Sequence, residues 1–160
     1  MKDPKQLIQS QKSFFETGKT REISFIKAKL KRLKDSIINN EDAIYQALYK
    51  DFKKPKFEAY ISEFGILISE IDIVLNNLSK WSKPKKVRAS KLNFPSKDYI
   101  YSEPYGTVLV IAPWNYPFQL AISPVISAIA AGNTVVLKPS EVSSHTAVII
   151  KTILSDIFDD

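Results

Sequence analysis

The chain has 160 residues, of which 44% are hydrophobic and 25% are charged, a balance typical of a globular protein with its own core. No apolar run approaches the roughly 20 residues of a membrane-spanning helix, and the start lacks a signal-peptide pattern, so we expect no membrane span and a cytoplasmic location. Cysteine is absent and histidine occurs once, which excludes thiol nucleophiles, thiolate metal sites and multi-histidine metal sites from these residues.

The net charge of +6 is unevenly distributed along the chain. Met1 to Lys97 holds 21 Lys and Arg against 11 Asp and Glu, whereas Asp98 to Asp160 holds 2 against 6. A basic half of this kind can indicate binding to nucleic acid or to an anionic membrane surface. No nucleic-acid-binding module and no interleaved aromatic platform accompanies the charge. Lysine-rich outer faces of amphipathic helices are therefore the better interpretation, and we expect no nucleic-acid partner.

Residues 1–80 are predicted to form a helical segment that packs on the part of the chain that follows. A short leading helix around Leu7 and Phe14 would end at Gly18. Apolar residues at spacings of three and four then mark three more helices, the middle one capped by Asn40. Their core-facing residues are Ile23, Ile26, Leu30, Leu33 and Ile37, then Ile44, Ala47 and Leu48, then Phe64, Ile68, Ile71, Leu75 and Leu78.

Residues 81–105 have a different composition and are predicted to be an extended connector. The stretch WSKPKKVRASKLNFPSKDYIYSEP contains three prolines and clustered lysines, and it ends in the alternating, strand-like DYIYS. One interpretation is a surface linker. The other is a strand that pairs with a further element, for example in another subunit.

Residues 106–160 carry the pattern of an α/β fold. The runs TVLVIA and TVVLK are short, β-branched and apolar throughout, which favours parallel strands buried on both faces of a sheet. Between them, Phe118 to Ala131 suits a helix packed on that sheet and ended by Gly132. A further helix capped by Ser143 or Ser144 would run to about Phe158. The segment therefore predicts a βαβα unit.

The two strands are each followed by a polar stretch, PWNYP and KPSE, where open α/β sheets bind their ligands. Pro113 and Pro117 stiffen the first stretch, so Asn115 can present its amide to an oxygen that becomes negative during a reaction, or it can merely satisfy turn backbone. In the second stretch, Glu141 can accept from ribose hydroxyls and Lys138 can favour a 2′-phosphate. The alternative there is that Glu141 caps the next helix beside a solvated lysine.

Two absences limit this interpretation. With only four glycines, no G-x-G-x-x-G can be written, so the usual diphosphate turn is not in this sequence. The single histidine, His145, has no neighbouring nucleophile pattern, and a surface or capping role is the expected one. Ser143, Ser144 and His145 are too close in sequence to form a catalytic triad.

The stretch EPYGTVLVIAPWNYPFQLAISPVISAIAAGNTVVLKPSE resembles the amino-terminal part of the coenzyme domain of aldehyde dehydrogenases. The tyrosine after the asparagine resembles the class 3 branch, which includes the fatty and aromatic aldehyde dehydrogenases. The resemblance implies a Rossmann-like coenzyme domain beginning at residue 106, with NAD or NADP as cofactor. It also implies oxidation of a small-molecule aldehyde to an acid through a cysteine thiohemiacetal and thioester.

The resemblance also implies roles for single residues. Asn115 would donate to the thiohemiacetal oxyanion, and Tyr116 would line the aldehyde tunnel. The remaining matched residues would lie at the cofactor: Pro113 and Trp114 through their loop backbone, Lys138 and Glu141 at the adenosine ribose, and Pro139 and Ser140 against the same half of the nucleotide.

The cysteine nucleophile, the general-base glutamate and the diphosphate turn of the family have no counterpart in these 160 residues. We therefore expect an amino-terminal fragment that is inactive alone, taken from an enzyme that forms a homodimer through residues 81–105. A noncatalytic nucleotide-binding or subunit-assembly module is the alternative.

Overall fold

The computed structural model describes residues 3–158, so the first two residues of the predicted segment 1–80 and the last two of the predicted segment 106–160 lie outside that range. Seven helices and four strands are present among the described residues. No helix in this range has the length and apolarity to cross a bilayer. The helices are α1 (Pro4–Glu16), α2 (Ile23–Asn39), α3 (Glu41–Phe52), α4 (Lys56–Ala59), α5 (Gly65–Trp81), α6 (Gln119–Ala130) and α7 (Ser144–Ile157). The strands are β1 (Lys85–Val87), β2 (Asp98–Ile100), β3 (Thr107–Ile111) and β4 (Thr134–Lys138).

The amino-terminal helices follow the predicted pattern, with local differences. Gly18, at a φ of 75°, ends the leading helix as expected. Asn40 occupies the predicted N-cap position of α3, but its side chain makes no cap bond there. Its side-chain amide donates instead to the carbonyl of Ser36 near the end of α2, which also accepts from the Asn40 backbone N–H.

Helices α4 and α5 are joined by a π-helical turn, Tyr60–Phe64, so that residues 56–81 form one long helical stretch. The buried stripe of α5 consists of Leu67, Ile71, Val74 and Leu78. The predicted Ile68 and Leu75 are only partly buried beside it. Phe64, Ile71 and Leu78 are thus buried as predicted, whereas Leu67 and Val74 take the places predicted for Ile68 and Leu75.

The connector contains a small antiparallel sheet. Strand β1 pairs with β2, with Lys85 opposite Ile100 and Val87 opposite Asp98. The DYIYS strand thus has its partner within the same chain. Pairing of this segment with another subunit stays a prediction.

Strands β3 and β4 are parallel neighbours joined by α6, which confirms the predicted βαβ unit. The prediction that both sheet faces are buried is wrong, because Leu109 is 63% and Ile111 is 66% exposed. Within residues 3–158 this sheet has two strands, and α1 and α6, which pack on it, leave those two side chains uncovered.

One continuous apolar core joins the helical segment to the βαβα unit. It includes side chains from α2, α3, α5, α6 and α7, among them Leu33, Leu48, Ile71, Ile122 and Ile153. The amino-terminal helices thus pack directly on the helices that flank the sheet. The division of the chain at residues 80 and 105 stays a prediction.

Gly132 and Gly18 offer a matched pair of stability tests. Both have positive φ, where an L side chain is strained, but a Cβ on Gly132 would lie 3.1 Å from the carbonyl oxygen of Thr20, whereas a Cβ on Gly18 would meet nothing within 4 Å. We expect Gly18→Ala to cost about 1 kcal/mol of unfolding free energy. Gly132→Ala should cost about 1–3 kcal/mol more, because overpacking adds to the strain. Urea unfolding measures both, and equal losses would contradict the close approach.

Candidate active site at the carboxyl edge of the sheet

The two polar stretches leave the sheet at the same edge. Ile111 and Lys138, the last residues of β3 and β4, are register partners. The backbone N–H of Ala112 donates to the carbonyl of Lys138 at 3.0 Å, which continues the pairing one residue beyond β3. The sequence prediction that the two strand ends converge is therefore confirmed.

Asn115 is exposed and lies in the loop between β3 and α6, residues 113–118. Among the described residues its amide has no hydrogen-bond partner, so the alternative in which it satisfies turn backbone has no support there. The next residue, Tyr116, has a φ of 51°, a left-handed conformation that is uncommon for a bulky side chain. Asn115 thus presents an accessible amide at the end of a strand.

Trp114 gives this loop an aromatic contact with α3. Trp114 is 57% exposed and is not part of the core. Its ring packs against Phe52, the last residue of α3, with centroids 6.3 Å apart. Pro113 is exposed beside it, whereas Pro117 and Phe118 are buried. The loop is therefore anchored at its carboxyl end and open at Asn115.

That anchor includes two residues that sequence reasoning missed. The Glu63 side chain is fully buried, and its Oε2 accepts from the backbone N–H groups of Phe118 at 2.9 Å and Gln119 at 3.2 Å. Its Oε1 accepts from the Nζ of Lys54, which is 9% exposed. The available signal was a glutamate four residues before Leu67, on the buried stripe of a helix.

The second stretch places a cation and a carboxylate side by side in solvent. Lys138 Nζ donates to Glu141 Oε1 at 2.5 Å, and both side chains are exposed. The hydrogen bond from Lys138, the Glu141 backbone N–H and the lysine charge together lower the pKa of Glu141. Glu141 is therefore an ionised acceptor near pH 7, with a cation next to it.

Ser140 and Pro139 are less exposed to solvent than Lys138 and Glu141 on either side of them. Ser140 is buried, and its hydroxyl accepts from the backbone N–H of Val142 at 3.3 Å. Pro139 is partly buried. Their contact with a nucleotide stays a prediction.

The start of α7 is held by a distant carboxylate. Asp51, with a side chain 3% exposed, accepts from the backbone N–H groups of His145 and Thr146 and from the Thr146 hydroxyl. The hydroxyl of Ser143 donates instead to the carbonyl of Ser140, and no cap bond is made by the Ser143 side chain. Ser143 therefore occupies the predicted N-cap position of α7, but its side chain does not cap the helix. Sequence reasoning missed Asp51 because it is 94 residues from His145.

His145 takes part in the same contact, because its Nδ1 lies 2.8 Å from Asp51 Oδ1. Burial raises the pKa of Asp51, but the side-chain and backbone hydrogen bonds from Thr146 and His145 outweigh burial, and the net pKa is lowered. Across residues 3–158, no three His, Asp or Glu side chains are grouped so as to hold a metal ion.

The fold is that of the first part of a Rossmann-like α/β unit, in which an exposed amide and a lysine–carboxylate pair lie at the ends of neighbouring parallel strands. The chain belongs to the aldehyde dehydrogenase family, whose model matches residues 2–158.

Two curated relatives are similar over most of the chain. The 4,4′-diaponeurosporen-aldehyde dehydrogenase of Staphylococcus aureus is 49% identical over 148 residues, covering 92% of this chain and 32% of the relative. Aldehyde dehydrogenase family 3 member B1 of Mus musculus is 40% identical and covers 95% of this chain and 32% of the relative. The family 3 name agrees with the class 3 resemblance. The chain thus spans about a third of the length of these relatives.

Solved structures match the fold. The substrate-bound state of Staphylococcus aureus AldH superposes with a TM-score of 0.96 at 47% identity, covering 99% of this chain and 35% of that one. The NADP-dependent glyceraldehyde-3-phosphate dehydrogenase from Bacillus halodurans, solved with NADP, superposes with a TM-score of 0.76 at 25% identity. That match covers 95% of this chain and 32% of the other chain.

The lowered pKa of Asp51 predicts how stability depends on pH. An aspartate whose folded pKa lies below its unfolded value contributes fully above that unfolded value, about 3.8, and the contribution is lost as the pH falls through the folded pKa. We expect Asp51→Ala to lower the free energy of unfolding by about 1–2 kcal/mol at pH 7. The loss should shrink below about pH 4.

Glu103→Ala is the control for this test, because its ion pair with Arg21 is exposed and should contribute less than about 1 kcal/mol. Urea unfolding across the pH range measures both variants. A loss at Asp51 that does not depend on pH would contradict the electrostatic role of the carboxylate.

Proposed function

We propose that the whole protein is an NAD(P)-dependent aldehyde dehydrogenase that oxidises a small-molecule aldehyde to a carboxylic acid. This chain contributes Asn115 as the donor to the oxyanion. The observation that carries the proposal is the accessible amide of Asn115, which has no hydrogen-bond partner among the described residues and lies at a strand end where such folds bind their ligands. Family membership supports the reaction class.

The chemistry gives Asn115 a defined task. Addition of a cysteine thiolate from the rest of the protein to the aldehyde carbon turns the carbonyl oxygen into an oxyanion. An amide N–H fixed near that oxygen stabilises the transition state, in which negative charge develops, more than it stabilises the ground state. Tyr116 follows Asn115 and is 44% exposed, so its ring is available to line the aldehyde tunnel.

The cofactor residues fit the same scheme. NAD or NADP, when bound, accepts the hydride from the substrate carbon. Glu141 would accept from the hydroxyls of the adenosine ribose, and Lys138 would donate there or to a 2′-phosphate. Pro139 and Ser140 would lie against the nucleotide, and Pro113 and Trp114 would contribute loop backbone. The exposed, ionised Glu141 beside Lys138 supports this assignment.

A subunit-assembly role is the second candidate, and it is compatible with the first. The connector exposes Leu92, Phe94 and Tyr101, and within residues 3–158 strand β2 pairs with β1 on one edge only. An exposed strand edge with apolar neighbours favours pairing with a further strand. We propose that residues 81–105 contact the partner in a homodimer of the cytoplasmic enzyme.

Asn115→Ala in the whole protein should lower kcat by about 100- to 1000-fold, the cost of removing an oxyanion donor. KM for the aldehyde should change much less. Asn77→Ala is the matched control, because the Asn77 amide bonds only the Ile73 carbonyl of its own helix, and it should alter kcat less than about threefold. Unchanged turnover in Asn115→Ala, with chemistry shown to be rate-limiting, would remove the oxyanion role.

Two substitutions test the ribose site by calorimetry. Glu141→Gln should weaken both NAD and NADP by about tenfold or more, since hydrogen bonds to charged groups contribute about 1.5–3 kcal/mol. Lys138→Met should weaken NADP more than NAD. Lys151→Met removes the same charge at an exposed position of α7 and should leave the affinities for NAD and NADP unchanged. Equal effects of Lys138→Met and Lys151→Met on NADP would contradict the assignment.

A further inference from the structure

Glu63 is a charged side chain at a core position. It lies in the π-helical turn between α4 and α5, and none of its side chain is exposed. An ionised carboxylate without partners is strongly disfavoured in such a position. Glu63 has partners for both oxygens, and all of them belong to, or contact, the loop that carries Asn115 or the helix after it.

The first group of partners is the start of α6. The backbone N–H groups of Phe118 and Gln119 have no intrahelical acceptor, as is usual for the first residues of a helix. The Glu63 carboxylate accepts from both, in the geometry of a charged helix cap supplied from another element. The end of the Asn115 loop is thereby tied to the long helix.

The second partner is Lys54, which contacts the loop itself. Its ammonium donates to Glu63 and lies 4.4 Å from the centre of the Tyr116 ring. That distance is within the range of a cation–π contact. Tyr116 is the left-handed residue directly after Asn115, so Lys54 and Glu63 together contact both residues that set the loop's direction, Tyr116 and Phe118.

The π turn supports this arrangement. The Gly65 N–H donates to the Tyr60 carbonyl across the turn, and a Cβ on Gly65 would lie 3.1 Å from that oxygen. π turns inside helices are frequent at functional sites. The loop is therefore fixed at one end by the sheet, through Ala112, and at the other by Glu63.

We propose that Glu63 and Lys54 are positioning residues that hold the Asn115 amide at the reacting carbonyl. The inference rests on the proposed oxyanion role of Asn115. Loss of the pair would leave the amide present but misplaced, and a displacement of about 1 Å can cost about 100-fold in rate.

The test removes both charges together, because one unpaired buried charge would destabilise the protein. Lys54→Met/Glu63→Met replaces the pair by apolar side chains of similar length, so that no buried charge is left unpaired. In the whole protein we expect kcat to fall by about 10- to 100-fold. The melting temperature should fall as well, because the N–H groups of Phe118 and Gln119 lose their acceptor, whereas KM for NAD(P) should change little.

A double-mutant cycle with Asn115→Ala separates positioning from general damage. If the pair acts through Asn115, its removal should cost less than about threefold once Asn115 is alanine, because the two effects are not additive. An equal fold-loss of kcat in both backgrounds would overturn the positioning role while leaving the proposed function intact. If Asn115→Ala alone has no effect, the proposed function fails, and the positioning role fails with it.

The control is Lys34→Met/Asp72→Met, which makes the same two replacements at a more exposed ion pair between α2 and α5, away from the Asn115 loop. It should leave kcat within about twofold. Should the Lys54/Glu63 variant fail to fold, Glu63→Gln keeps one acceptor for the Phe118 N–H and gives a smaller loss. The double-mutant cycle is then run with Glu63→Gln and Asn115→Ala, and additive effects of the two substitutions on kcat would overturn the proposal.

Discussion

The buried carboxylate of Glu63 is the contact on which the candidate site depends. It joins the amino-terminal helices to Phe118 and Gln119, where the loop that carries Asn115 ends and α6 begins. A carboxylate that accepts from two backbone N–H groups and an ammonium is held in one orientation, because moving it would leave several buried polar groups unpaired. Buried ion pairs are weak evidence for stability. Their value here lies in selecting one loop conformation.

The same device occurs at the second strand end. Asp51, also from the amino-terminal helices, accepts from the first N–H groups of α7, which follows the loop that carries Lys138 and Glu141. Each loop is thus bounded by a parallel strand on one side and by a helix start captured by a distant acid on the other. At these loops Asn115, Lys138 and Glu141 are exposed to solvent. The amino-terminal helices therefore fix the geometry of the sheet edge as well as contributing to the core.

The sequence predicted those parts of the fold that depend on local pattern. Apolar periodicity identified α2, and continuous apolar runs identified β3 and β4 with their parallel pairing, because these signals reflect burial along one element. The convergence of the strand ends followed from topology. The contacts of Glu63 and Asp51 could not be predicted, since their acceptor geometry arises only when helices distant in sequence pack together. The exposure of Leu109 was missed because composition alone does not distinguish an apolar strand that is covered on both faces from one with an exposed face.

Hydrogen exchange at single backbone amides tests the contact between Glu63 and the start of α6 most directly, because exchange reports the local opening of each hydrogen bond. It would be measured on the whole protein with the native pair and with methionine at Lys54 and Glu63. The amide of Phe118 should exchange at least about tenfold faster without the carboxylate, while the amide of Ala112, bonded to the sheet, should keep its rate. Unchanged exchange at Phe118 would contradict the account.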